Sequence, residues 1–355
     1  TVYGSLVLHL GDESSMFGKK VVFDLSSDML MRGSSKFTRA ELDTKLGELK
    51  AKIGITISGQ NLNVNFETVR SNLPALLDIM RDVLRAPSFT ASEFDLLVKE
   101  NLAALEGSRS EPQTVAAEAA KAKNNAPYKK GDIRYSETLD DSIALYKATT
   151  LESAKEFYKN YYGASAAELS LVGDFDAAVV KPKLASLLGD WNSAMKYQRA
   201  PSLELVAKGD AVSLETPDKA NAFYMAELPL SMNDQAPEYP AMLVANTVLG
   251  GGIKSRLFGR IRQKEGISYG VGSGFNAPAL DKTASISLFA MFAPQNLDRL
   301  KVAVKEEVEG FVKDGITAAE LADAKQALTQ GFSLRRAQDQ ALVGTLRGQL
   351  YLGRS

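Results

Sequence analysis

The sequence predicts an α+β fold of two homologous domains, each an antiparallel sheet with helices packed on one face, and three observations carry this. The chain has 355 residues, enough for two domains at roughly 100 to 200 residues each. Runs of adjacent strand-like segments are separated by paired helical segments, rather than alternating with single helices as a parallel sheet requires. The chain also repeats itself. Ser71-Asn72-Leu73, a helical run to Arg85 and Phe89-Thr90-Ala91-Ser92-Glu93-Phe94 recur as Gln295-Asn296-Leu297, a helical run to Asp314 and Ile316-Thr317-Ala318-Ala319-Glu320-Leu321. The copies lie 224 residues apart at Asn72 and Asn296 and 227 apart at Thr90 and Thr317. Gly54-Ile55 and Gly266-Ile267 also correspond, ahead of a longer loop in the second copy. Spacing that nearly holds over a whole unit marks a duplication. The expected domains are 1–195 and 209–355, joined by a linker over 196–208.

In the first copy, Val2 to Leu10 carries apolar residues at alternate positions and reads as a strand, ended by the turn Gly11-Asp12-Glu13-Ser14. A helix is expected near Phe17 to Met31. Thr38 and Glu41 read as a capping box, the threonine side chain accepting from a free backbone N–H and the glutamate reaching back, opening a helix to about Lys52. Ile53 to Val69 alternates enough for two strands or a hairpin. Helices follow over Asn72 to Leu84 and Ala91 to Glu106, the second with Thr90 and Glu93 as its capping box, and Pro112 suits the first turn of another. Leu151 to Tyr161 reads as a helix and Glu168 to Val172 as a strand, stopped by Gly173-Asp174.

The stretch Asn192 to Lys208, polar and interrupted by proline, separates the copies. The second copy runs through a strand at Ala222 to Leu230, a helix from Pro237 to Leu249, the turn Gly250-Gly251-Gly252 and a helix around Ser255 to Lys264. Strands within Ser268 to Phe275 and Ser285 to Ala293 come next, then helices after Asn296 and after the capping box of Thr317 and Glu320. Nothing after Leu352 matches the helix and strand between Leu151 and Val172. The second sheet is therefore expected to lack a strand and expose an edge, and the natural protein to continue past Ser355.

Composition excludes several function classes. Forty-two basic and 43 acidic side chains leave a formal net charge of -1, so no global positive field exists to hold nucleic acid or an anionic membrane. No apolar run reaches the length of a membrane span, and the N-terminus lacks the regions of a signal peptide. A chain that begins at Thr1 reads as a processed or shortened product. With no cysteine and a single histidine, His9, thiolate and poly-imidazole metal sites are excluded, as is any histidine-based triad not built on His9. His9 shares a strand face with Tyr3, Ser5 and Val7, where a packed or hydrogen-bonded ring is expected rather than a ligand.

A set of segments spans essentially the whole chain: Met29-Leu30-Met31-Arg32-Gly33-Ser34, Thr38-Arg39-Ala40-Glu41-Leu42, Asn160-Tyr161-Tyr162, Val172-Gly173-Asp174-Phe175, Ser255-Arg256-Leu257-Phe258 and Arg262 to Tyr269. In their order and spacing they resemble the insulinase/pitrilysin family (M16) of zinc peptidases, the inverted zincins. The chemistry of that family rests on His-x-x-Glu-His in a helix just before the Met-Leu segment, with two histidines on zinc and the glutamate activating water. Here the window is Asp24-Leu25-Ser26-Ser27-Asp28. Asp24 and Asp28 stand at the histidine positions and Ser27 at the glutamate. A serine cannot serve as that base, and carboxylates are poorer ligands for a borderline-soft cation than imidazoles. The third ligand of the family would fall near Glu100 to Glu106, and a lone carboxylate makes no zinc site. Asp24 and Asp28, at i and i+4, read as a solvated face or as a weak oxygen site for a hard cation.

The resemblance further implies that Arg262 and Tyr269 hold the carbonyl of a substrate peptide and help stabilise an oxyanion formed at a zinc in another half. Guanidinium and phenol both keep their donors at neutral pH. On spacing alone the two residues could equally be an exposed helix arginine and a strand aromatic. Gly250-Gly251-Gly252 reads as a helix C-cap and turn, with a mobile substrate-contacting loop as the alternative. The chain is thus expected to bind no metal and to be inactive by itself. It would be the non-catalytic half of a metalloendopeptidase, contributing half the chamber wall beside a His-x-x-Glu-His half with zinc, in the same precursor or a separate subunit. Its partners would be that half and a peptide, with neither nucleic acid nor membrane, and its location the periplasm. The competing expectations are an inactive assembly subunit, like the relatives that form core subunits of a respiratory complex, and a free-standing peptide-binding chamber.

Overall fold

A computed structural model describes residues 1–206 and 208–354. Ala207, in the expected linker, and Ser355, at the end of the expected second domain, lie outside the described residues. In chain order the elements are β1 (Val2–His9), α1 (Lys20–Met29), α2 (Arg39–Glu48), β2 (Lys52–Ser58), β3 (Asn61–Thr68), α3 (Leu73–Arg85), α4 (Ala91–Ser108), α5 (Pro112–Asn124), α6 (Leu139–Ala148), α7 (Leu151–Tyr161), β4 (Ala167–Gly173) and α8 (Ala177–Leu188). There follow β5 (Ala222–Leu230), α9 (Tyr239–Leu249), a π-helix (Phe258–Lys264), β6 (Ser268–Asn276), β7 (Ala284–Phe292), α10 (Leu297–Asp314), α11 (Ala318–Ala337) and α12 (Asp339–Leu352). The α+β reading with antiparallel sheets holds.

One unit comprises Thr1–Glu106, Lys129–Ala200 and the residues from Leu334 on. Its sheet has the order β2-β3-β1-β4, every pair antiparallel. The hairpin between β2 and β3 turns through Gly59, whose φ of 57° suits the first central position of a two-residue turn. Val2, Leu6 and Leu8 of β1 point into the main core, together with Leu62, Val64 and Phe66 of β3. Helix α3 completes that core because Leu73, Leu76, Leu77, Met80, Val83 and Leu84 fall on one helical face and all are buried. Truncating one such leucine to alanine costs about 2 to 5 kcal/mol. A single helix, α12, covers part of the other face, where Ser170 Oγ donates to Val343 O at 2.6 Å. This explains why Ser5, Val7 and His9 are buried as well as the core-facing side of β1.

The other unit comprises Gly107–Tyr128 and Pro201–Ser333. Its sheet has three strands in the antiparallel order β5-β7-β6, over a core of Leu257, Ile261, Val271, Phe292 and Leu300. Helix α5 lies against β5, with Asn124 Nδ2 3.4 Å from Glu227. Where β1 is paired on both sides, by β3 and β4, β5 is paired among the described residues only with β7.

Several boundaries differ from the sequence reading. Helix α2 ends at Glu48 rather than near Lys52, because Lys50 takes the left-handed conformation (φ 47°) and turns the chain into β2. Helix α1 begins at Lys20, after a turn, rather than near Phe17. Helices α6, α8 and α12 have no counterpart in the sequence reading. For α6 a signal existed in Thr138, whose hydroxyl accepts from Asp141 N at 3.1 Å. For α8 the internal Pro182 disguised it, although Asp176 caps it by accepting from Ala178 N at 2.8 Å. The boxes at Thr38/Glu41 and Thr317/Glu320 form as read. That at Thr90/Glu93 does not, since the Glu93 carboxylate is drawn to Arg32 at 3.1 Å and Arg39 at 3.5 Å.

Candidate functional site

The residues singled out from sequence fall in two places, each within its own unit. In the first unit α1 carries the degenerate window. Ser27 and its neighbour Ser26 are buried, and each hydroxyl donates to Phe23 O, at 2.7 and 2.9 Å. The Tyr162 hydroxyl lies 2.9 Å from Ser27 Oγ and 3.0 Å from Ser26 Oγ. A hydroxyl buried in this way meets no water from which to draw a proton, and its own basicity is too low for that role.

Asp24 accepts a hydrogen bond from the hydroxyl of Tyr146, which α6 brings from 122 residues away. Burial pushes the Asp24 carboxyl above its ordinary range, against the opposing pull of the Tyr146 hydrogen bond and of Lys20. Asp28, one turn on and at the surface, is pushed up to about 6, by desolvation first and by the like charge of Asp24 second, with Arg32 opposing. Arg32 in turn holds Glu100, the first carboxylate of the expected third-ligand window, at 2.5 Å and Glu93 at 3.1 Å. The positions that would ligate zinc are thus a hydrogen-bonded carboxyl, a carboxyl pushed above its ordinary range and an ion-paired glutamate. Among the described residues no group of three or more His, Cys, Asp or Glu is arranged to hold a metal ion.

In the second unit, Arg262 and Tyr269 are brought together, though not as two free side chains. Arg262 lies in the π-helix, a rare geometry that recurs at functional sites. Its guanidinium sits 5.7 Å from the centre of the Phe258 ring and donates through Nη1 to the main-chain carbonyl of Tyr269. The helix end is tied down by Arg260, which pairs with Glu265 and, at 2.7 Å, with Glu306. The Tyr269 side chain is 68% exposed. The cause is a β-bulge between Ser268 and Gly270, where the register against β7 shifts. Ser268 and Val271 both point inward, three residues apart, which a regular strand forbids because its faces alternate with period two. The extra residue is accommodated by turning Tyr269 out. Sequence reading found the pair through the resemblance and missed the bulge, whose only trace is that odd spacing of Ser268 and Val271.

Gly250 and Gly251 cap α9, both N–H groups donating to Asn246 O at 3.0 and 2.8 Å. A Cβ on Gly250 would come within 2.5 Å of the Ser273 backbone nitrogen, so close approach requires glycine there. His9 is buried between the rings of Tyr197 and Tyr351, with centroids at 4.8 and 4.7 Å. Its ring nitrogens lie 2.5 Å from Glu168 Oε2 and 2.6 Å from Asn61 Oδ1, the packed, hydrogen-bonded role expected of it. No described helix is long and apolar enough to cross a membrane.

Residues 148–328, just over half of the chain, match the profile of the peptidase M16 inactive domain, and residues 24–132 match that of insulinase (peptidase family M16). A non-peptidase homolog, YmxG of Helicobacter pylori, is 22% identical over 331 residues, covering 93% of this chain and 74% of its own length. Two further relatives are matched over only 21% and 42% of theirs. The crystal structure of a peptidase M16 inactive domain from Pseudomonas fluorescens superposes with a TM-score of 0.78 at 20% identity, over 98% of this chain and 82% of that one. The periplasmic protease PqqL from Escherichia coli gives 0.69 at 16% identity, over 98% of this chain and 38% of that one. Both likenesses are likenesses of fold.

Proposed function

Because the chain belongs to peptidase family M16, we propose that it is a non-catalytic half of an insulinase-like metalloendopeptidase, one that presents Arg262 and Tyr269 to a peptide while zinc is held by a separate His-x-x-Glu-His half. The observation that carries this reading is a contrast between the two sites. At the metal window the base position is a serine bonded into the core, Asp24 accepts a hydrogen bond from Tyr146 and Glu100 is ion-paired with Arg32. At the second, an arginine and a tyrosine are delivered to the surface by a π-helix and a bulge, two irregularities that a purely structural role does not need. The Arg262 donors and Tyr269 hydroxyl suit a peptide carbonyl that gains negative charge. A periplasmic location is part of the proposal, by analogy with the fold relative PqqL.

The test uses the purified chain and then the complete assembly. The chain is expected to bind no stoichiometric zinc in calorimetry and to cleave no peptide; chelator-sensitive proteolysis by the chain itself would overturn the reading. In the assembly, Arg262→Ala and Tyr269→Phe are expected to lower turnover by about 100-fold or more with assembly intact. Turnover unchanged by both would make the chain a scaffold.

A further inference from the structure

We infer that Ser268 is the positioning residue of this site, its hydroxyl holding the bulge that aims Tyr269 outward; the inference rests on the peptide-contact reading of Arg262 and Tyr269. A bulge leaves ladder groups without their regular partners, and buried unpaired backbone groups are costly. Ser268 is 5% exposed and its Oγ lies where those groups are. It is 2.7 Å from Met291 O on β7 and 2.8 Å from Gly270 O, either of which takes its proton, and it accepts from Gly270 N at 3.1 Å. One hydroxyl therefore satisfies both sides of the irregularity at the residues that bracket Tyr269. The same bulge turns the Tyr269 carbonyl toward Arg262, so the aim of the phenol and the anchorage of the guanidinium share one backbone deformation. Alanine removes the donor and acceptor, valine fills the space without them, and threonine keeps both.

The experiment compares Ser268→Ala, Ser268→Val and Ser268→Thr in the full chain, at a temperature where circular dichroism shows each to be folded. Nitration of Tyr269 by tetranitromethane, followed by mass spectrometry of its peptide, reads the side chain's exposure. Binding of a fluorescein-labelled unstructured peptide reads its use, with Arg262→Ala and Tyr269→Phe as references. The expected result is slower nitration and about tenfold weaker binding in the alanine and valine variants, the loss of about one buried hydrogen bond, and threonine close to wild type. Nitration and binding at wild-type levels in all three variants, with Arg262→Ala and Tyr269→Phe both weakened, would overturn the inference and leave the peptide-contact reading standing. Binding indifferent to Arg262→Ala and Tyr269→Phe would overturn both.

Discussion

Arg256 grips Glu320 through two charge-assisted hydrogen bonds, Nε to Oε1 at 2.6 Å and Nη2 to Oε2 at 2.8 Å, and Arg32 grips Glu93 at the corresponding place in the first copy. In each case an arginine ahead of the second strand is tied to the glutamate in the first turn of a helix far along the chain. In the second copy that glutamate also completes its capping box, accepting from Thr317 N at 2.8 Å. The duplication is thus visible as a repeated ion pair as well as a repeated sequence.

Arg256, with help from the Thr317 donors, holds the Glu320 carboxyl down to about 2 from an ordinary 4.5, against the opposing effect of burial. Since the folded value lies below the unfolded one, the stabilisation is complete above about pH 4.5 and is lost as pH falls toward 2. Glu320→Gln is expected to cost about 1 to 2 kcal/mol near neutrality. The gap from wild type should close in acid, which urea denaturation at the two pH values measures. A constant gap would show that the charge is not the source.

Asp28 titrates in the opposite sense. Its folded value of about 6 exceeds the ordinary 3.8, so the folded state keeps the proton longer than the unfolded one. Stability relative to the unfolded chain is greatest below pH 3.8 and falls as pH rises through 6. Asp28→Asn is expected to raise the melting midpoint at neutral pH, by an amount that solvent at this exposed position keeps small, and to leave it unchanged in acid. A lower midpoint at neutral pH would mean that the ionised carboxylate is held by Arg32 more strongly than burial opposes it.

Rebuilding the zinc motif is expected to fail. Ser27→Glu places a carboxylate where a buried hydroxyl now sits between Phe23 O and the Tyr162 hydroxyl, at a cost of about 3 kcal/mol or more. Asp24→His removes the acceptor of Tyr146, and Glu100 stays paired with Arg32. The triple variant Asp24→His, Ser27→Glu, Asp28→His should melt well below the parent and show no one-to-one zinc isotherm. A stable, zinc-loaded triple variant would contradict this account of the site.

Helix α12 is held over the first sheet by a polar cluster centred on His9. Tyr351 supplies one ring of the stack and its hydroxyl lies 3.1 Å from that of Tyr197. Tyr351→Ala is expected to weaken the local attachment by about 1 to 3 kcal/mol, raising hydrogen exchange in α12 and at His9. Amides of β6 and β7 should keep their protection. Uniform change across the molecule would show that α12 is not a separately opening element.

Elements whose signals are local were legible in advance. Alternation marks β1 and the β2–β3 hairpin, and the box at Thr38 and Glu41 locates the start of α2 because cap and partner lie three residues apart. The box at Thr90 was misread because Arg32, 61 residues earlier, outcompetes the backbone for the Glu93 carboxylate. At the candidate sites Arg262, Tyr269, Asp24, Ser27 and Asp28 were legible as residues and not as geometry.

By itself the sequence determined the duplication, the α+β class and the replacement of imidazoles and a glutamate by Asp24, Asp28 and Ser27, since each is a matter of residue identity at a fixed spacing. Only the tertiary structure decided what those residues do. Tyr146 reaches Asp24 across 122 positions, and Tyr162 reaches Ser27 across 135. The bulge at Tyr269 exists because both Ser268 and Val271 must face inward on β6 beside β7. Which groups lose water, and which find a partner, follows from packing between segments that the order of residues does not place together.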